Sequence, residues 1–357
     1  MKIGIIGLPQ VGKKTLFEIL TNHKPTEYDI ASKESIKAVA SMQDSRFEVL
    51  AEAYKPNKKT GAMINIEMLP KLGKDIIAKG EFFKDINGLD VICHVVRAFQ
   101  DESIYHIEGS VDPKRDIDSV NLELIIRDLI FIEKRMANIE KSIKRVKEET
   151  VLKEKHLLAK LKAHLEKELP LRLLELSVQE ESFMVNYPFV TRKRMIIILN
   201  VSENDINNNQ LEEKLKEECQ LTGAYVIEVC AKIEAEIAKF ESEEERKKFL
   251  DELGIKESAT NMLAQACIKA LNLISFFTVG SDEVRQWTVS SGATAPKAAG
   301  VIHSDLEKGF IRAEVIKYDD FINLGSRAKL KEAGKLYLKG KDYIVEDGDI
   351  LDIRFSV

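Results

Sequence analysis

Gly7-Leu8-Pro9-Gln10-Val11-Gly12-Lys13-Lys14-Thr15 follows an apolar run, Lys2 to Ile6, and leads into Leu16-Phe17-Glu18-Ile19-Leu20. Strand, glycine loop, Gly-Lys and helix is the layout of a phosphate-binding loop. Glycines let backbone N–H groups curl around phosphate oxygens, the helix N-terminus adds partial positive charge, and the lysine reaches the outer phosphates. One position departs from the pattern G-x-x-x-x-G-K-[ST]. The hydroxyl that ligates Mg²⁺ belongs directly after the lysine, and here that residue is Lys14, with Thr15 one place late. Lys14 has two readings: an ammonium standing where the metal would sit, or a side chain turned to solvent.

Working outward, the runs Met63–Leu69, Asp90–Arg97, Met195–Leu199 and Ala224–Val229 read as further strands. Near-continuous apolar runs separated by helices predict a doubly wound α/β sheet with buried parallel strands. Its ligand site then lies in the loops at the strands' carboxyl ends. Thr21 to Lys37 is polar and reads as a loop, followed by an Asp44-Ser45-Arg46 turn and a short helix to Tyr54. Asp75 to Lys84 is amphipathic.

Leu122, Ile125, Leu129, Ile132, Met136, Ile139, Ile143 and Val146 alternate at intervals of three and four, the seam of a coiled coil. Leu158, Leu161 and Leu165 supply a second helix before Pro170. An antiparallel hairpin inserted in the sheet domain is expected. Its charges (Lys141, Lys144, Arg145, Lys147, Glu148, Glu149) form either a solvated face or a basic arm for RNA phosphates. Glu241 to Lys248 begins a charged helix. From Leu273 the texture changes to short paired strands around Gly280-Ser281-Asp282, a helix near Ala298 to Leu306, a strand Ile311–Lys317, and a C-terminal Tyr343–Val345 and Ile350–Phe355. That is a β-grasp-sized module. The expected domains are 1–120 with 186–272, 121–185, and 273–357.

The bulk numbers agree with a multidomain chain. With 357 residues, 54 Lys+Arg and 59 Asp+Glu, the net charge is −5, which argues against a protein that coats nucleic acid throughout. Cys93, Cys219, Cys230 and Cys267 form no C-x-x-C pair, so a zinc or redox motif is not expected, and the usage fits a reducing cytosol. The first residues read as a strand, not a signal peptide, and no run approaches the roughly 20 apolar residues of a membrane helix. A cytoplasmic protein without membrane contact is expected.

Nearly end to end, the chain resembles the YchF-type ATPases of the Obg branch of P-loop GTPases. The resemblance is carried by Gly7–Thr15, His94-Val95-Val96-Arg97, Asn200-Val201-Ser202-Glu203 and Ala231-Lys232-Ile233-Glu234-Ala235-Glu236-Ile237. It continues through Gly292–Pro296, Ile302–Asp305 and Lys308–Glu314. It implies a P-loop domain, an inserted coiled-coil hairpin and a C-terminal TGS domain, with ATP preferred over GTP, slow hydrolysis and ribosome or RNA partners. The base would lie against Asn200, Val201, Glu203, Ala231 and Lys232. GTPases read guanine with Asn-Lys-x-Asp; here the lysine is missing and the carboxylate, Glu203, has a longer stem. Guanine donors left unpaired would disfavour that base by about 1–3 kcal/mol each.

Three positions of the family's hydrolytic machinery are altered. Besides Lys14, the strand-end motif Asp-x-x-Gly is Glu67-Met68-Leu69-Pro70, and proline has no N–H for a γ-phosphate. The glycine-rich stretch that follows is replaced by Lys71-Leu72-Gly73-Lys74-Asp75. The threonine of the first switch aligns near Ser32. The expected ligand is therefore ATP or GTP, with no residue assigned to catalysis or to Mg²⁺, whose family positions carry Lys14, Ser32 and Glu67. Two functions follow: a nucleotide-binding, weakly hydrolytic ribosome-associated protein, or a non-enzymatic ribosome- or RNA-binding scaffold with an empty nucleotide site. His94 reads as a core or strand-end histidine. His303 and Asp305 are too few ligands for a metal site.

Overall fold

The computed structural model describes residues 1–26, 28–29, 34–42, 44–70, 86–143, 149–185, 187–206, 210–240, 242–255 and 257–356. The chain forms two compact units, Met1–Val39 with Asn65–Met262, and Ala40–Ile64 with Leu263–Val357. Ser32, the 71–85 stretch (with the amphipathic Asp75–Lys84) and the hairpin charges Lys144, Arg145, Lys147 and Glu148 lie outside the described residues.

The first seven strands are β1 (Lys2–Ile6), β2 (Ile36–Ser41), β3 (Lys58–Thr60), β4 (Met63–Met68), β5 (Val91–Arg97), β6 (Arg194–Asn200) and β7 (Ala224–Val229). All but β3 form one sheet in the order β2-β4-β1-β5-β6-β7, in which β4, β1, β5, β6 and β7 run parallel to one another. Every residue of β5 is buried, as a strand covered on both faces requires. Ile92 and Val96 face Ile117, Val120 and Leu124 in one core cluster. Helix Lys13–Thr21 buries Leu16, Phe17 and Leu20.

The helix of the expected insertion starts earlier than residue 121. It runs unbroken from Pro113 to Ile143 and serves two cores. Ile117, Val120 and Leu124 pack with the sheet. Ile125, Ile132 and Ile139 pack instead with Leu157, Leu158, Leu161 and Leu165 of the returning helix Glu149–Leu165. Arg135 reaches across to the buried Glu154 at 2.6 Å. The buried Asp128 accepts the N–H groups of Val190 and Thr191 at 3.1 and 2.8 Å, fastening the hairpin to the segment that leads into β6. The seam corrects one expected position: Leu122 is 44% exposed.

The second unit holds β8 (Leu273–Val279), β9 (Glu283–Ser290), β10 (Phe310–Ile316), β11 (Tyr337–Lys339) and β12 (Ile350–Phe355), and it recruits β3. Their order is β11-β10-β12-β8-β9-β3, a mixed sheet in which β12 is parallel to β8 and β9 to β3. Adjacent residues Phe276 and Phe277 point to opposite faces and are both fully buried. Helix Ala295–Ile302 covers the Phe276 face through Ala295, Ala298 and Ala299. Helix Ser45–Tyr54, from the segment that sequence reasoning counted with the first domain, covers the other face with Phe47, Leu50 and Ala51. The single helix expected near Ala298 to Leu306 is two, Ala295–Ile302 and Ser304–Lys308, divided at His303, whose Nδ1 accepts the Asp305 N–H. Tyr343–Val345 adds only an isolated bridge from Ile344 to Thr294.

Candidate functional site

The loops that follow β1, β5, β6 and β7 meet at the carboxyl ends of their strands and enclose a cavity of about 1010 Å³. This is the edge of a parallel sheet at which ligands are expected to bind. Pro9, Gln10, Val11, Gly12, Lys13, Lys14 and Thr15 line it, while Gly7 and Leu8 lie behind, with Leu8 packed on the core.

The phosphate loop depends on backbone conformations that side chains resist. Gly7 has φ 153° and Gly12 φ 98°. A Cβ on Gly12 would stand 2.3 Å from Asn200 Nδ2, so the close approach of two loops adds a second reason for glycine. Lys13 is buried and donates to the Gly7 carbonyl at 2.6 Å, closing the loop over its own start. Lys14 lines the cavity, but its ammonium lies 3.7 Å from Glu18, one helical turn on.

Asn200, which the sequence reading turned to the base, is a bridge between loops. Its amide nitrogen donates to the Val11 carbonyl and its oxygen accepts the Ala231 N–H, both at 3.0 Å. The side chain thereby pins the phosphate loop to helix Ala231–Ile237. Val201 and Ala231 line the cavity beside it. Glu203 and Lys232 also line it and pair with each other at 3.1 Å, and the hydrogen bond that the lysine donates to Glu203 raises its pKa.

Sequence reasoning passed over the loop after β5. Phe99, Gln100, Asp101 and Ile104 line the cavity, and Arg97 organises them. This arginine is 2% exposed. It donates to the carbonyls of Phe99, Asp101 and Ile104 at 3.1, 3.0 and 2.9 Å, and its guanidinium lies 4.5 Å from the centre of the Phe99 ring. A charge at the end of an otherwise apolar strand was the available signal. Ser202, Asn204 and Cys230 also line the cavity. His94 does not; it is buried on β5.

The residues present do not fit the Mg²⁺ that this fold uses to bridge phosphates. Lys14 replaces the hydroxyl. Glu67 is absent from the cavity lining and lies 3.7 Å from Lys37 of the next strand. Among the described residues no group of three His, Cys, Asp or Glu side chains could hold a metal. No described helix is long and apolar enough to cross a membrane.

A family profile named YchF-GTPase_C, described as "Protein of unknown function (DUF933)", matches residues 273–356. The "Ribosome-binding ATPase YchF" of Bacillus subtilis is 40% identical, covering 99% of this chain and 99% of that protein. The "Obg-like ATPase 1" of Caenorhabditis elegans is 36% identical over 100% of this chain and 92% of its own length. Among solved structures, the Schizosaccharomyces pombe YchF GTPase superposes with a TM-score of 0.83 at 33% identity, covering 99% of this chain and 97% of that one. A GTP-binding protein from Pyrococcus horikoshii shares the fold, with a TM-score of 0.61 at 21% identity over the full length of both. With such identities sustained over its full length, the chain belongs to the YchF family.

Proposed function

We propose that the chain binds a purine nucleotide in this cavity, ATP in preference to GTP, hydrolyses it slowly or not at all, and associates with the ribosome through its hairpin and its C-terminal β-grasp (TGS) module. The observation that carries the nucleotide reading is the Asn200 bridge, which holds the phosphate loop and the Ala231 loop around one cavity of about 1010 Å³. The adenine preference rests on the far end of that cavity. Val201 stands where a guanine-reading lysine would be, and the Glu203 carboxylate is drawn to Lys232. Guanine would then leave buried donors unpaired. Slow turnover rests on Lys14, Glu67 and Pro70, since phosphoryl transfer in this fold works through the metal and the γ-phosphate contacts. The ribosome reading rests on the names of the relatives, which are ribosome-binding ATPases.

Calorimetry with ATP and GTP tests the first part. ATP should bind at least about tenfold tighter, a difference of about 1.4 kcal/mol. Tighter GTP binding sinks the adenine assignment, and turnover equal to that of an intact relative sinks the slow-hydrolysis reading. Co-sedimentation with ribosomes should weaken with salt if phosphate contacts carry it. A second reading, a scaffold that keeps the shape without the cycle, is favoured by the way Glu18 and Lys37 engage Lys14 and Glu67. If Lys13→Ala leaves both ATP affinity and co-sedimentation unchanged, the scaffold reading replaces the first.

A further inference from the structure

We infer that the cavity is a receptor for a metal-free nucleoside diphosphate, with Lys13 and Lys14 supplying the charge that Mg²⁺ supplies elsewhere and with no donor for a third phosphate on Leu69 or Pro70, where the fold's γ-phosphate contact belongs. This rests on the nucleotide-binding reading and specifies the ligand class.

Two phosphates find a built site. Gly7 and Gly12 take the positive-φ conformations of a phosphate-binding turn, and Gly12, Lys13, Lys14 and Thr15, at the N-terminus of helix Lys13–Thr21, line the cavity. Lys13 gives up its contact with the Gly7 carbonyl and reaches the bound phosphates instead. Lys14 starts 3.7 Å from Glu18, with nearly half of its side chain exposed. An exposed pair at that distance is weakly held. A phosphate oxygen within reach forms a stronger charge-assisted bond and turns the ammonium inward. Two lysines and a helix terminus then offset the charge of a diphosphate with no ion present.

A third phosphate meets a different surface. On this side of the cavity the described lining is Ile36, Met68, Leu69 and Pro70, with the carboxylates Asp29 and Glu34. Leu69 spends its N–H on the Ile5 carbonyl at 3.0 Å, and Pro70 has none. Glu67 is taken up by Lys37. Among these described residues the extra negative charge meets apolar side chains and two carboxylates, which disfavours the triphosphate.

The test is calorimetry on the full chain with ADP, ATP, GDP and GTP, in EDTA and in excess Mg²⁺, repeated on Lys14→Ser and Pro70→Gly. Each diphosphate should bind at least about tenfold tighter than its triphosphate in EDTA, and Mg²⁺ should change diphosphate affinity by less than about threefold. Lys14→Ser should weaken ADP by about tenfold in EDTA and make its binding respond to Mg²⁺; Pro70→Gly should tighten ATP while leaving ADP unchanged. A smaller margin between di- and triphosphate, a larger Mg²⁺ effect on the parent chain, or unaltered ADP binding by Lys14→Ser overturns the inference. Both substitutions fall at exposed or loop positions, and a thermal melt confirms that the variants are folded. Tighter binding of GDP than ADP removes only the adenine preference. Absence of binding by all four nucleotides removes the nucleotide reading itself.

Discussion

At the scale of single residues, His94 shows how a parallel sheet treats a buried polar side chain. It lies on β5 between Ile6 of β1 and Ile197 of β6, and neither ring nitrogen has a hydrogen-bond partner. Burial, helped by the charge of Lys13, pushes its pKa from 6.5 down to about 3. The folded chain therefore keeps the ring neutral while the unfolded chain protonates it. Between those two values the unfolded state binds more protons, so stability falls as pH drops from 6.5 towards 3 and is fully present above 6.5. The slope from this group is about 1.4 kcal/mol per pH unit. Urea unfolding of the parent and His94→Leu between about pH 4 and about pH 7 should show the variant losing that slope, and parallel curves would refute the assignment. The sequence context made His94 readable as a core histidine, because it sits inside an apolar run. It did not reveal that Asn200 would leave no room for a Cβ on Gly12, because the contact joins loops from distant strands. Spacing rules see local neighbours only.

At the scale of elements, the helices and buried strands were legible where their periodicity was strong, and less so at edges. β2 is an edge strand whose residues Ile36-Lys37-Ala38-Val39-Ala40-Ser41 are mostly exposed or half-buried, with a lysine in second place, so the reading as loop up to Lys37 covered its start. The hairpin shows the reverse error, in which a good pattern extends too far. The heptad spacing includes Leu122, but at that level helix Pro113–Ile143 turns Ile117, Val120 and Leu124 to the sheet and leaves Leu122 exposed. Leu158, in the same cluster as Ile132, is fully buried. Leu158→Ala should therefore destabilise the chain by about 2–5 kcal/mol through the lost burial and the cavity left behind. Leu122→Ala should change stability by no more than about 0.5 kcal/mol. Denaturant unfolding followed by circular dichroism measures both. Equal losses would mean that the exposed leucine is part of the seam after all.

At the scale of the whole molecule, the C-terminal sheet depends on a piece of chain that arrives from far upstream. A strand whose adjacent residues Phe276 and Phe277 are both buried needs cover on two sides. The C-terminal region covers the Phe276 face with its own helix Ala295–Ile302, but the cluster around Phe277, Val284, Ile316 and Phe321 is completed by Phe47, Leu50 and Ala51. Segment 40–64 adds β3 beside β9, and Arg46, capped by Asp44, pairs with Asp347 at 2.6 Å. Burying Phe47 and Leu50 contributes about 1.5–3 kcal/mol each, comparable with a large part of the stability of a small domain. A fragment of residues 263–357 alone should bind a hydrophobic dye and unfold with low cooperativity. The same fragment with residues 40–64 joined to its N-terminus through a flexible linker should unfold in one sharp transition, and Phe47→Ala in that fusion should lose about 3–5 kcal/mol. If the fragment alone unfolds as sharply and at the same denaturant concentration as the fusion, the upstream segment merely rests on a sheet that folds without it. If it does not, the C-terminal unit cannot be cut at residue 273, where the change in sequence texture places its start, and its folding waits on residues synthesised before the hairpin.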